Sequence, residues 1–201
     1  MSKPKITYFD APASRGEECR LALHLSGVDF EDVRVKGPEW PALKPHSPFG
    51  ALPTFELPGH PVLAQTNAIL VLIGRTWGLH PKDDLEAARH EMMMHHVEDL
   101  RTAIGVTLRM SDDEKKRVRE AIAETTLPAW AAGAEKLMGA GPFFAGDKLH
   151  VVDLKLFVML RWLAGGKLDH IPPTIITQYP KLMRVHDAVR DHAGVKAWYA
   201  R

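Results

Sequence analysis

The 201-residue chain has a single cysteine, Cys19, so no internal disulfide can form and packing must hold the fold. That fits a reducing compartment. Long apolar runs are also missing: "AILVLIG" and "LFVML" fall far below the roughly 20 residues a membrane-spanning helix needs. The start, "MSKPKITYFD", is too poor in apolar residues for a secretory signal. Neither charge dominates, with 26 basic against 25 acidic residues and a formal net charge of +1, which is not the footprint of a nucleic-acid binder. No internal repeat or low-complexity segment occurs. A soluble cytoplasmic protein with no nucleic-acid or membrane partner is the expectation.

What is present is a periodicity that changes near residue 80. "KITYF" reads as a strand, and residues 15 to 27 as a helix with Cys19, Ala22 and Leu23 on one face, closed by Gly27. "FEDVRV" reads as a second strand. The loop from Lys36 to Gly50 carries Pro38, Pro41, Pro45 and Pro48, which excludes long regular structure. "TFEL", "PGH" and "PVL" predict a hairpin, and "QTNAILVLIGRTW" a helix ended by Gly78. The order is β-α-β, loop, β-β-α, with the first two strands parallel. After the polar linker "LHPKDDLE" the pattern turns helical: about 86 to 109, from a cap at Ser111 or Asp112 to Met138, Val151 to Ala164, and two shorter helices after Pro172-Pro173. "VVDLKLFVMLRWLA" is apolar nearly all round and so predicts the buried central helix. An α/β domain at residues 1–80 followed by an all-α domain at 87–201 is the expected organisation.

"YFDAPASRGEECR" sets Tyr8 at a strand end and the capping pattern Ser14-x-x-Glu17 at a helix mouth. Alone, a tyrosine there reads as packing. Cys19 lies more than a turn inside the helix on its apolar face, whereas a reactive cysteine wants a helix N-terminus; it reads as core. "RHEMMMHH" raises a metal site, but His90 and His95 lie about 140° apart around a helix, unlike His-Glu-x-x-His. No metal is expected, and the methionines read as an interface or an adaptable apolar pocket.

The order and spacing of "YFDAPASRGEECRLAL", "GVDFEDVRV", "EWPALKPHSPFGALPTFE", "LAQTNAILVLIGRTWGL", "VEDLR" and "GDKLHVVDLKLF" resemble the cytosolic glutathione transferases, nearest the sigma class, across both halves of the chain. The resemblance implies a thioredoxin-like domain that binds glutathione and an all-helical domain that supplies most of the pocket for a small hydrophobic electrophile. Glutathione is then a co-substrate, and no cofactor is implied. Tyr8 becomes the donor of a hydrogen bond that favours the glutathione thiolate, an ordinary thiol titrating near about 8.5. Arg15 lies beside the sulfur. "FGALPTFE" implies a cis bond before Pro53 that offers the Leu52 backbone to the cysteinyl part of glutathione. Gln65 and Thr66 open a helix; they serve as plain caps, or, as the resemblance implies, bind the γ-glutamyl carboxylate. Trp40 and Lys44 take the glycyl carboxylate. Asp99 in "VEDLR" reaches the glutathione of the neighbour in a two-fold homodimer, and Phe49 matches an aromatic that enters the partner subunit in some classes. Asp153 is implied as a folding residue at the entry to the central helix, with His150 where the family has Ser or Thr.

Two departures stand out. Ala51 replaces a common glutamine, which implies weaker glutathione binding, and one extra residue separates Tyr8 from Arg15. A non-catalytic binding or structural protein, like the lens crystallins that resemble sigma transferases, is the alternative; a Cys19-dependent oxidoreductase is a third. Sigma relatives include prostaglandin isomerases and general detoxifying enzymes, so the resemblance leaves the electrophile open.

Overall fold

In the computed structural model, which describes residues 3–201, strand alternation starts the fold: Ile6 and Tyr8 of β1 (Lys5–Phe9) are buried, their neighbours only half-covered. β1 pairs in parallel with β2 (Glu31–Val35), across the helix α1 (Ser14–Leu25). It pairs antiparallel with β3 (Thr54–Glu56), which pairs antiparallel with β4 (Leu63–Ala64), giving the order β2-β1-β3-β4. Between β2 and β3 the proline-rich loop is a chain of single turns: Gly37–Glu39, α2 (Trp40–Leu43) and Lys44–His46. Pro38, Pro41 and Pro45 each sit in the first two positions of a turn, where a missing N–H loses no bond. α3 (Thr66–Trp77) packs on α1 and stops at Gly78, whose φ of 83° supplies the left-handed cap.

The chain forms two compact units, one running to Ala87 and including Ala193–Arg201, the other Ala88–His192. The sequence assigns all of 87–201 to the helical domain; by contacts the last nine residues go with the first unit. α9 (Ala193–Tyr199) buries Val195 and Trp198 against α1. The Trp198 indole N–H donates to Glu17 Oε1 at 2.7 Å, and Arg201 lies 4.6 Å over the Trp198 ring. That contact also corrects the expected capping box. Ala13 is the N-cap of α1 and makes no side-chain bond, Ser14 has a φ of 60°, and Glu17 turns inward, fully buried.

α4 (Asp84–Gly105), most of which belongs to the second unit, runs into a tighter turn, Val106–Arg109. The segment expected as one helix from 112 to 138 is two, α5 (Asp112–Ala121) and α6 (Leu127–Leu137), joined by a wider π-type turn at Ile122–Thr126. Pro128 explains the break: it has no N–H, and its ring would strike the carbonyl four residues back in a regular helix. α7 (Val151–Ala164) is buried at every position from Val151 to Leu160, as its apolar pattern predicts, and packs on α8 (Pro180–Asp191).

Asp153 accepts the backbone N–H of Phe144 at 2.7 Å and of His150 at 2.8 Å, tying the preceding loop to the helix start. Burial nevertheless pushes its carboxyl up to about 7. Lys155, hidden within α7, donates to Glu98 Oε1 on α4, an oxygen that also accepts from Arg101 at 2.7 Å. Among the described residues no helix is long and apolar enough to cross a membrane, and no three His, Cys, Asp or Glu side chains cluster to hold a metal.

Candidate active site

Three strands end together. Extending the β1–β3 register by one residue beyond Thr7↔Thr54 sets Pro53 beside Tyr8, and extending β3–β4 beyond Thr54↔Ala64 sets Gln65 beside Pro53. Tyr8, Pro53 and Gln65 therefore share one row, at the end of the sheet where β1 finishes and α3 begins.

The Tyr8 ring is buried against the first turn of α1. A Cβ on Gly16 would lie 2.1 Å from Tyr8 Cγ, so only glycine allows this approach. Phe9 meets the ring edge-on at 5.5 Å and itself meets Trp40 at 5.7 Å. The Tyr8 hydroxyl forms no hydrogen bond with the described residues, yet its oxygen is not sealed in the interior. Arg15 is half-buried in the same first turn. The turn leaving β1 is tight, with Ala11 N–H donating to the Phe9 carbonyl at 2.8 Å, and Ser14 adopts its positive φ at the first position of α1. The loop with the extra residue closes through these two devices.

Arg20, also on α1, was not singled out in the sequence. It is fully buried and donates to Asp32 Oδ1 at 2.8 Å, the Ala11 carbonyl at 2.9 Å and the Phe9 carbonyl at 3.2 Å. The available signal was Glu17 and Arg20 three apart in a stretch buried from Gly16 to Leu23.

The Leu52–Pro53 bond is cis, as expected. Leu52 is half-exposed and lies outside the ladder, which begins at Thr54. Before it, the Ser47 hydroxyl donates to the Ala51 carbonyl and accepts the Ala51 N–H at 3.2 Å, so the backbone at the missing glutamine is braced. Lys44 passes its stem over Gly50, whose φ is 56°: Lys44 Cε is 3.3 Å from where a Cβ would be. Gln65 is exposed with φ 69°, a conformation strained for any residue but glycine. Thr66 is buried, and its Oγ1 has no hydrogen-bond partner. Neither caps α3 through its side chain, so the plain-cap reading is not realised. A buried hydroxyl left unpaired costs about 1–3 kcal/mol, which asks for a partner from outside the chain.

The first unit thus brings Tyr8, Arg15, Leu52, Pro53, Gln65 and Thr66 to one sheet end, with Trp40 and Lys44 on the adjoining loop. Asp99 is exposed on α4, in the second unit. Cys19 is fully buried on α1, away from the helix N-terminus.

Two family models match the chain: glutathione S-transferase, N-terminal domain, over residues 4–75, and glutathione S-transferase, C-terminal domain, over residues 98–201. The chain belongs to the glutathione S-transferase family. Glutathione S-transferase 1 of Ascaris suum is 31% identical over 100% of this chain and 97% of that protein. S-crystallin 4 of Enteroctopus dofleini is 25% identical over 96% of the chain and 94% of its own length. The solved prostaglandin synthase D of Nilaparvata lugens matches with a TM-score of 0.87 at 28% identity, covering 99% of this chain and 98% of that one. The thioredoxin-like and helical domains are those of a glutathione S-transferase, an enzyme of the transferase class. In this glutathione S-transferase the whole four-stranded sheet falls in the first matched span. The second span runs through α9, the helix that packs back on the first unit.

Proposed function

We propose that this glutathione S-transferase holds glutathione along the row from Tyr8 to Gln65 and uses the Tyr8 hydroxyl to stabilise its thiolate for attack on a small hydrophobic electrophile. The carrying observation is a phenol held against Gly16 with no protein group on its hydroxyl. Lowering a thiol pKa by two units takes about 2.7 kcal/mol. One hydrogen bond to a charged group contributes about 1.5–3 kcal/mol, and the α1 N-terminus with Arg15 adds a favourable field. The Leu52 backbone receives the cysteinyl part as an added strand, Gln65 and Thr66 the γ-glutamyl carboxylate, and Trp40 and Lys44 the glycyl carboxylate. No cofactor enters.

The protein works as a cytoplasmic, sigma-class-like homodimer in which Asp99 serves the partner's glutathione. Met92 and Asp99 on α4 and Val106 in the turn that follows it are exposed at seven-residue spacing, and Phe49 is 69% exposed, which suits a self-complementary two-fold contact. Replacing Tyr8 by Phe should slow conjugation of a generic aryl halide roughly 10- to 1000-fold, about 1.4–4 kcal/mol. An unchanged rate removes Tyr8 from the mechanism. The second reading, a binding or structural protein, is favoured by the S-crystallin relative and by Ala51. Saturable glutathione binding without turnover would decide for it.

A further inference from the structure

We infer that Arg20 is the positioning residue of Tyr8, and that Glu17 and Trp198 hold Arg20, so that the last helix helps to aim the thiol-activating hydroxyl. The inference rests on the reading of Tyr8 given above.

β1 ends one residue after Tyr8, at Phe9, and one guanidinium spans the exit into the irregular backbone beyond. Arg20 donates through Nη2 to the Phe9 carbonyl and through Nη1 to the Ala11 carbonyl, on either side of Asp10. Its Nε anchors on Asp32 of β2, and its Cζ lies 5.8 Å from the Tyr8 ring centroid. A planar fork with fixed donors can grip two carbonyls and a carboxylate at once; the point charge of a lysine cannot. The carboxylates around it have defined second partners. Asp32 Oδ2 accepts Arg34 Nε at 2.9 Å, and Arg34 also reaches Asp10 at 3.2 Å. Glu17 Oε2 lies 3.6 Å from Arg20 Nη1 while Glu17 Oε1 accepts the Trp198 indole. Trp198 therefore orients Glu17, Glu17 and Asp32 orient Arg20, and Arg20 fixes the exit of the strand that carries Tyr8. A displacement of about 1 Å at a catalytic group is enough to lose about 100-fold in rate, so this frame bears on the chemistry while touching no reacting atom.

The test uses the full chain and a double-mutant cycle. The thiolate absorbance of bound glutathione is followed against pH, with kcat and KM for an aryl halide, in the wild type, Arg20→Lys, Trp198→Phe, Tyr8→Phe and the two doubles. Arg20→Lys should raise the apparent pKa of the bound thiol by about one unit and lower kcat about tenfold, with KM for glutathione nearly constant. Trp198→Phe should move both in the same direction by about a third as much on a logarithmic scale. In the Tyr8→Phe background neither change should shift the thiol further. Equal shifts with and without the Tyr8 hydroxyl would overturn the inference, as would an unshifted thiol in Arg20→Lys. If Arg20→Lys does not fold, Trp198→Phe in the two backgrounds makes the same comparison. A wild type that binds glutathione without forming thiolate overturns the Tyr8 reading itself, a separate result.

Discussion

Arg20 in the first unit and Lys155 in the second are both fully buried basic side chains, but they stand in different company. Lys155 joins two regular helices whose backbones are already hydrogen-bonded, and it shares Glu98 with a second cation, Arg101. Arg20 grips the carbonyl of Phe9, the last residue of β1, and that of Ala11 in the loop beyond it, and faces the Tyr8 ring. A buried cation between helices adds little order beyond that of the helices, whereas one at a strand exit reinforces a turn held by only a few backbone bonds. The proposed glutathione site lies at the second kind of place.

Removing the two cations should separate them most sharply. Arg20→Met leaves Asp32 Oδ1 and the Ala11 carbonyl without their donor and buried Glu17 without its cation, and a loss of about 3–5 kcal/mol is expected in urea unfolding. Lys155→Met leaves Arg101 on Glu98 and fills the space with an apolar chain, so about 1 kcal/mol or less is expected. Equal losses would break the comparison. Next in size is Gly16→Ala, whose methyl would press into the Tyr8 ring: about 1–3 kcal/mol of overpacking, read as a lower melting temperature together with a fall in activity. A stable, fully active variant would show that α1 need not lie on the ring.

The last effect concerns pH and belongs to the helical unit. Burial holds the Asp153 carboxyl at about 7, above its unfolded value near 3.8, so the folded chain keeps a proton that the unfolded chain releases. Its contribution is complete below about pH 4 and is lost as pH rises to about 7, with a slope of at most about 1.4 kcal/mol per pH unit. Asp153→Asn keeps a neutral group and should flatten stability between pH 4 and 7; an unaltered slope would place the titration elsewhere.

Much of this was legible in the sequence, for identifiable reasons. Gly27, Gly78 and the prolines of the 36–50 loop punctuate the chain, so strands and helices were found where turn chemistry is local. The all-apolar pattern of α7 forces burial. The row Tyr8, Pro53, Gln65 followed from a family resemblance, since nothing local to any of the three residues links them. The failures share one cause, a distant partner. Ser14-x-x-Glu17 matches a capping box, but an indole 181 residues away takes the glutamate. Arg20 and Lys155 look like the solvated charges of helices until their tertiary partners are known. The break near Pro128 was hidden because the apolar pattern continues across the π-type turn.

The tie between Glu17 and Trp198 has a consequence for synthesis. The amino-terminal half emerges from the ribosome carrying a carboxylate whose donor has not been translated, and at about 5–20 residues per second the wait is roughly 10–35 s. During that interval the nascent sheet and its first helix must either stay open or shelter a carboxylate oxygen that lacks its donor. A chaperone that recognises this half-built state would have its opportunity then.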